Sequence, residues 1–259
     1  MKNSKVLLLI MILMFIFLLG PFLVIILSSF GSEALMKFPP KGFSMKWYEK
    51  VVNIRMFRTT FWISLEVGLA ATATALLLGV PSAYALVRFR FPGKNIMELF
   101  FASPAIVPGM VIGFSLLRFF IYISEMPIIV GLYLGHTAIL LPYTVRVVSA
   151  SLRNFDPDVE EAAVSLGSSR LFAFLSVILP NIRAGVVAAF ILAFITSFNN
   201  VPVSVFLTGP GVATLPIQML VYMEYYFDPT IAALSSIIIV ITIVIVQTAE
   251  KLLGISRYV

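Results

Sequence analysis

The chain has 259 residues, of which 60% are hydrophobic and only 12% charged, with a mean hydropathy of +1.05. Soluble domains carry about 25% charged residues, so this chain lacks the polar surface to coat a water-soluble globule of its length, and one membrane-embedded domain over residues 1–259 is expected. The absence of cysteine excludes disulfide scaffolds, thiolate metal sites and cysteine nucleophiles. The net charge of +6 is scattered over several loops, the pattern of loops facing anionic membrane lipid rather than of a surface that binds nucleic acid.

A membrane-spanning helix needs about 20 mostly apolar residues. The first span covers 6–30: it is free of charge from Val6 to Phe30 and follows Lys2 and Lys5. Its apolar run exceeds the roughly 7–15 residues of a signal-peptide core and no small-residue cleavage site follows, so it is read as an uncleaved anchor. The second span, 59–87, is interrupted only by Glu66. The third is placed at 97–118 and the fourth at 126–146. Ala184 to Met223 carries no charge for 40 residues, too long for one helix, and Pro202, Gly209-Pro210-Gly211 and Pro216 break it. The fifth span is therefore 184–201, followed by a non-polar connecting segment, and the sixth is 229–250. An all-α polytopic membrane protein with six transmembrane helices is the expected architecture.

Small residues recur at helical spacing: Ala71, Ala75 and Gly79 in the second span, Gly109 and Gly113 in the third. Such stripes let helix backbones approach closely. Pro104 and Pro108 are expected to kink the start of the third span, freeing carbonyls that neighbours or a wet cavity must satisfy. With the N-terminus inside, eleven Lys and Arg, from Lys2 to Arg257, fall on the inner side and seven on the outer. That is a modest positive-inside bias, and the lysine-rich outer loop from Gly31 to Phe57 runs against it.

The informative stretch lies between spans four and five, Asp156-Pro157-Asp158-Val159-Glu160-Glu161-Ala162-Ala163-Val164-Ser165-Leu166-Gly167. Asp156 suits an N-cap and Pro157 the first helical position. Asp158, Glu160 and Glu161 place negative charge at the positive end of the helix dipole, and Gly167 can adopt the left-handed conformation that ends a helix. A short helix over about 157–167 follows, far too short to span. Val159, Ala162, Ala163 and Leu166 repeat at i, i+3, i+4 and i+7 and form a narrow apolar face. Two readings are open: a docking element that enters a groove on another protein, or an interfacial helix resting on lipid, which would be expected to carry Lys or Arg opposite bulky apolar residues. The acidic, small-faced pattern favours docking.

These residues carry a resemblance. Glu161-Ala162-Ala163, then Gly167 four residues on, then Val177-x-Leu179-Pro180 resembles the EAA signature, E-A-A-x3-G-x9-I-x-L-P, of permeases of binding-protein-dependent ABC importers, with Val177 where isoleucine is usual. Tyr84 to Lys94 is similar to the inner loop after the second span in that family. The resemblance implies a type I ABC importer permease fold, a bacterial inner (plasma) membrane location, and a cytoplasmic coupling helix with both termini cytoplasmic. It also implies a homologous but non-identical second permease subunit, two ATP-binding subunits that use ATP and Mg, and an extracytoplasmic solute-binding protein. The coupling residues it implies are Glu160, Glu161, Ala162, Ala163, Leu166, Gly167, Leu179 and Pro180. The chain itself is expected to be non-catalytic and to bind no cofactor: Gly93-Lys94 lacks the upstream glycine of a phosphate-binding loop. Val201 to Gly211 with Thr214-Leu215-Pro216, and Phe227 to Ala233, resemble the spermidine/putrescine-type permeases in particular, which makes a polyamine the expected solute. Another small amino or phosphonate solute in the same importer class, and an ion-coupled carrier, are the alternatives. An intramembrane enzyme would need paired aspartates, H-E-x-x-H or a Ser/His pair at membrane depth, and the sequence offers none of these.

Candidate solute contacts each have two readings. Glu66 lies inside a span, where a carboxylate is costly unless paired or wet; it is either neutralised by a polar neighbour or lines the pathway. Glu224 and Asp228, beside Tyr222, Tyr225 and Tyr226, suit an ammonium through charge and cation–π attraction, or else form a helix cap with interfacial tyrosines. Asn199 and Asn200 either line the pathway or cap the fifth span. His136, the one histidine, has no ligand cluster near it in sequence and is expected to hydrogen-bond within the packing, so no metal site is expected.

Overall fold

The structure, a computed structural model, describes residues 2–102, 107–123 and 126–253. In chain order the helices are α1 (Lys2–Ser29), α2 (Lys46–Asn53), α3 (Arg55–Arg88), α4 (Lys94–Ala102), α5 (Gly109–Ile123), α6 (Ile128–Arg153), α7 (Pro157–Ser165), α8 (Arg170–Ala173), α9 (Leu179–Asn181), α10 (Arg183–Phe198), α11 (Leu215–Tyr225) and α12 (Thr230–Leu253). A π-helical turn, Phe174–Ile178, joins α8 to α9, and a 3₁₀ turn, Ser204–Phe206, follows α10. Among the described residues α1, α3, α6 and α12 are each long and apolar enough to cross a membrane. A fifth crossing arises only if Arg170–Asn181 and Arg183–Phe198, bent by 73°, count as one.

Three sequence expectations are corrected. The third span, 97–118, is not one helix; its described residues fall in α4, in α5 and in the non-helical pair Val107 and Pro108. Pro108 starts α5 rather than kinking it, its carbonyl accepting from the Val111 and Ile112 amides at 2.9 and 3.2 Å. A proline has no N–H to lose at a helix start and its fixed φ suits one. Pro104 and Arg257 lie outside the described residues. The segment after the fifth span is not merely a connection but contains α11, with Pro216 in its first turn, where proline is tolerated for the same reason. The chain ahead of α10, to which the sequence assigns no element, is a bent helix. Pro180 cannot donate to the carbonyl four residues back; the ladder widens into the π turn, and the Asn181 side chain donates to the Val177 carbonyl at 2.7 Å.

The chain divides into two compact units, residues 2–59 with 218–253 and residues 60–217. In the first, α1 and α2 pack on α12. The Trp47 indole donates to the Gly31 carbonyl at 2.7 Å, and Ser29 and Tyr48 share a hydrogen bond of 2.7 Å. The side chains of α1 from Val6 to Leu19 are all exposed in this chain, as expected of a helix whose solvent is lipid.

In the second unit α3, α6 and α10 enclose two apolar clusters. One gathers Val80, Ala83, Leu86, Val145, Val148 and Leu152 with Ile178 of the π turn; the other gathers Val67, Ala71, Ala75, Leu132, Leu140 and Val203. The small stripe of α3 is the contact line: a Cβ on Gly79 would lie 2.6 Å from Cγ2 of the fully buried Thr144 on α6. Gly113 plays the same part on α5, where a Cβ would lie 2.9 Å from the Pro202 carbonyl. The irregular segment after α10 is thus packed inside protein, which is the condition for non-helical backbone at membrane depth. His136 fixes it: its Nδ1 hydrogen-bonds the Ser197 hydroxyl at 2.7 Å and its Nε2 the Ser204 hydroxyl at 3.0 Å, so Ser/His pairs that no local sequence pattern shows do form here, with all three side chains buried in the packing. The Ser64 hydroxyl accepts from the Leu215 amide at 2.7 Å.

Overpacking the α3–α6 contact should be costly. Gly79→Leu is expected to destabilise the protein by about 1–3 kcal/mol and lower its melting temperature in detergent. Leu77→Ala, two residues away at a 75% exposed position, should leave the melting temperature unchanged.

Candidate functional site

The ends of α7 are built by local chemistry. The Asp156 carboxylate accepts from the Asp158 amide at 2.9 Å and Pro157 opens the helix. Gly167 sits at φ +94°, and the Ser168 amide reaches the Ala163 carbonyl at 3.1 Å while the Gly167 amide reaches Val164 at 2.9 Å. This is the paired bonding of a Schellman ending, which favours glycine at that position.

The orientation of α7 inverts that of an ordinary surface helix. Its buried residue is Glu160, 4% exposed. Glu160 accepts a hydrogen bond from the Tyr84 hydroxyl of α3 and pairs with Arg88 at the end of α3, Nε to Oε2 3.2 Å. The Arg88 guanidinium also donates to the Phe155 carbonyl at 3.0 Å and lies over the Phe155 ring. The Tyr84 ring packs at a tilt of 45° against Phe174 of the π turn, 4.7 Å between centroids. The outward face carries Val159, Glu161, Ala162 and Leu166, the last 90% exposed, while Ala163 is half-buried. A solvated helix turns its charges out and its apolar residues in; α7 keeps one carboxylate in and leaves Val159, Ala162 and Leu166 uncovered, with Ala163 and Val164 half-buried.

Leu179 and Pro180 do not join that face. Leu179 packs against the cluster around Ile178, and Pro180 belongs to the bend between the π turn and α10. Their part is to set the bend. Tyr84 and Arg88, the residues that anchor α7, were not singled out as functional by sequence reasoning. The available signal was an arginine at the end of a span facing a short acidic helix.

The solute candidates are not brought together into one cluster. In the first unit Asp228 is already satisfied: Lys50 bonds its Oδ2 at 2.5 Å, the Tyr222 hydroxyl donates at 3.1 Å, and the Thr230 amide donates to Oδ1 at 3.1 Å. It caps α12. Burial pushes its pKa up, but the bonds from Lys50 and Thr230 outweigh burial and hold the carboxyl below its ordinary value. The hydrogen bond to Asp228 raises Lys50 above its ordinary value. Tyr222 is buried and stacks on Tyr226 at 4.6 Å, whereas Glu224 and Tyr225 are exposed. In the second unit Asn200 accepts from the Val203 amide at 3.0 Å and so shapes the irregular segment, and Asn199 is the exposed C-cap of α10. Glu66 is exposed on α3 with no ion pair or hydrogen bond among the described residues, one turn from Trp62, 60% exposed, and Leu69, 43% exposed. Among the described residues no group of three or more His, Asp and Glu is placed to hold a metal.

The family described as "binding-protein-dependent transport system inner membrane component" matches residues 75–253. The chain is 31% identical over 237 residues to the putrescine transport system permease protein PotI of Escherichia coli (strain K12), covering 89% of this chain and 84% of that protein. It is 30% identical over 230 residues to the spermidine/putrescine transport system permease protein PotC of the same strain, covering 89% and 87%. Among solved structures, a chain of a bacterial ABC transporter involved in the import of the acidic polysaccharide alginate shares the fold with a TM-score of 0.74 and 18% identity, covering 96% of both chains.

The tether of α7 can be tested directly. Arg88→Met strands a buried carboxylate and should cost about 3–5 kcal/mol, whereas replacing both partners with apolar residues, Arg88→Met with Glu160→Met, should recover most of the loss. Thermal unfolding of the two single variants and the double variant in detergent reads the cycle.

Proposed function

The chain belongs to the family of binding-protein-dependent transport system inner membrane components and is a permease subunit of an ABC importer, and from that premise we propose that its solute is a polyamine of the putrescine or spermidine class. The likeness to PotI and PotC over most of the chain supports that solute class. The whole chain acts as one permease domain that forms half of the translocation pathway. A homologous, non-identical permease subunit supplies the other half, and an extracytoplasmic binding protein delivers the solute. In this topology α4 with α5 make the third of six crossings and the bent segment ending in α10 the fifth. An even count puts both termini and α7 on one side of the membrane, and the docking of α7 on ATP-binding subunits makes that side the cytoplasmic one.

The coupling role of α7 rests on one observation: its acid is turned in on Arg88 and Tyr84 while Val159, Ala162 and Leu166 are turned out. A short apolar face fixed to the end of a spanning helix, and uncovered by its own chain, suits a groove on a partner. That partner is one of two ATP-binding subunits, which supply the ATP and Mg chemistry; this chain binds no cofactor and catalyses nothing. Because Glu160 ties α7 to α3, a displacement of α7 is passed to a spanning helix rather than absorbed by loops. Glu161, Ala162, Ala163, Leu166 and Gly167 form or border the gripped surface, Glu160 holds it to α3, and Leu179 with Pro180 hold the bend behind it.

Glu66 is the pathway residue the geometry favours. Its face of α3 is left open by this chain, and a carboxylate facing hydrocarbon costs several kcal/mol. That face therefore turns toward the aqueous pathway or the second permease subunit, where a carboxylate attracts a cationic solute. Glu224 and Tyr225, exposed beside α12, and Asn199 are the secondary candidates; Asp228, Tyr222 and Asn200 serve structure.

Gly167→Asp should leave the protein in the membrane, since nothing lies within 4 Å of a Cβ there, while strain in the left-handed turn and the added charge prevent partner binding. ATP-binding subunits should no longer co-purify and uptake should fall to background; unimpaired transport in this variant contradicts the docking role. Glu66→Gln should raise the KM for putrescine uptake several-fold at unchanged protein level, and unaltered kinetics would return Glu66 to a packing role.

A further inference from the structure

Beside α7 lies a polar cavity of about 430 Å³ that the coupling role does not use. Its walls carry four cations, Arg88, Arg90, Lys94 and Arg170, against two carboxylates, Glu160 and Glu161. Arg88 and Glu160 neutralise each other. The other three cations make no ion pair among the described residues. The Lys94 ammonium reaches only the Phe89 carbonyl, at 3.4 Å, and the Arg170 guanidinium lies 6.0 Å from the centre of the Phe89 ring. Glu161 offsets one of these three charges and two remain in excess, an imbalance that an anion entering the cavity relieves. Guanidinium groups suit phosphate, which they can bind through two parallel hydrogen bonds.

The surroundings point to the source of that phosphate. Val87 and Arg88, the last residues of the spanning helix α3, line the cavity, so it lies at one end of a helix long enough to cross the hydrocarbon and headgroup layers together. The residues that flank the free cations in sequence are apolar and exposed: Phe91 at 37%, Ile96 at 74%, Leu171 at 69% and Phe172 at 64%. Free inorganic phosphate has no use for such neighbours, whereas a phospholipid lays its acyl chains on them while its phosphate occupies the basic cavity. Basic pockets of this kind between helices are a recurrent form of lipid headgroup recognition.

We propose that Arg90, Lys94 and Arg170 bind the phosphate headgroup of an anionic phospholipid, and that this lipid steadies α7 and so supports transport. The headgroup lies against Pro157, Glu160 and Glu161, at the start of α7, where it offsets the excess positive charge around the Glu160–Arg88 tether. The choice of leaflet, though not the binding, rests on the orientation proposed above.

The test uses the assembled transporter, with its second permease and ATP-binding subunits, in phosphatidylcholine vesicles containing increasing phosphatidylglycerol. Retained phosphatidylglycerol is read by native mass spectrometry and coupled turnover by ATP hydrolysis with loaded binding protein. The wild type should retain the anionic lipid and turn over faster as its fraction rises. The combined Arg90→Gln, Lys94→Gln, Arg170→Gln variant should match the wild type in pure phosphatidylcholine and lose both responses, since each cation near the surface is worth about fivefold in affinity. Should the combined variant fail to fold, Lys94→Gln alone is expected to require about fivefold more anionic lipid for the same response. The proposal is overturned if the variant responds to phosphatidylglycerol as the wild type does. Full stimulation by inorganic phosphate in neutral vesicles overturns it in favour of a free anion. Loss of the ATP-binding subunits from the variant in pure phosphatidylcholine overturns it in favour of a protein contact. If no ATP-binding subunit assembles even on the wild type, the coupling role of α7 fails, while lipid retention by the permease is still read by mass.

Discussion

The Glu160–Arg88 ion pair decides what α7 can do. Both groups are taken largely out of water, with side chains 5% and 13% exposed. A buried pair of this kind adds little net stability, because desolvating two charges consumes most of their attraction. Its value is positional. Each partner left alone would be a buried, uncompensated charge, so the pair holds α7 in one orientation on the end of α3 and penalises every other. The hydroxyl of Tyr84 and the carbonyl of Phe155 add directional bonds to the same two groups. The apolar residues of α7 face outward for this reason, and a helix of nine residues, too short to persist alone in water, is held as a rigid element.

The same constraint, that polar groups in or beside hydrocarbon must find partners within the protein, accounts for the irregular backbone after α10. Around Pro202 the chain leaves the helix, and water cannot satisfy its free amides and carbonyls there. His136 bridges Ser197 and Ser204, Asn200 closes on the Val203 amide, and Ser64 takes the Leu215 amide. The glycines of α5 and α3 serve this packing by letting backbone approach to distances a side chain would forbid. The expectation of a hydrogen-bonded His136 agrees with this geometry, and its two serine partners lie 61 and 68 residues away in sequence, beyond the reach of any local pattern.

What was legible in the sequence was what hydrocarbon dictates residue by residue. Long charge-free runs gave α1, α3, α6 and α12 to within a few residues at most ends. The ends of α7 could be read from Asp156, Pro157 and Gly167 because caps are local chemistry. Prolines misled. In the sequence Pro108 reads as a kink and Pro216 as a break, yet a proline is as much at home in the first turn of a helix as it is disruptive in the middle, and only the tertiary path decides which applies. The 73° bend was hidden for a related reason: Pro180 alone says that a hydrogen bond is lost, but not whether the helix ends, kinks or widens into a π turn. The partners of Asp228 and Glu160 were invisible because Lys50 and Arg88 lie 178 and 72 residues away.

The carboxylates themselves separate structure from function. Asp228 and Glu160 are each met by a cation and a tyrosine hydroxyl. Their charges are fully accounted for inside this chain, and no external group is needed to explain them. Glu66 has no such partner among the described residues and sits on an open face of a spanning helix. Arg90, Lys94 and Arg170 repeat that situation with the opposite sign at the C-terminal end of α3. A charge retained in or beside hydrocarbon without an internal partner is costly to the isolated subunit, and that cost is the physical basis of the contacts proposed above for Glu66 and for the basic cavity. An unpaired charge is for this reason a sharper guide to a contact than apolar surface is, since lipid, partner and pathway can all present apolar groups but only some of them can compensate an ion.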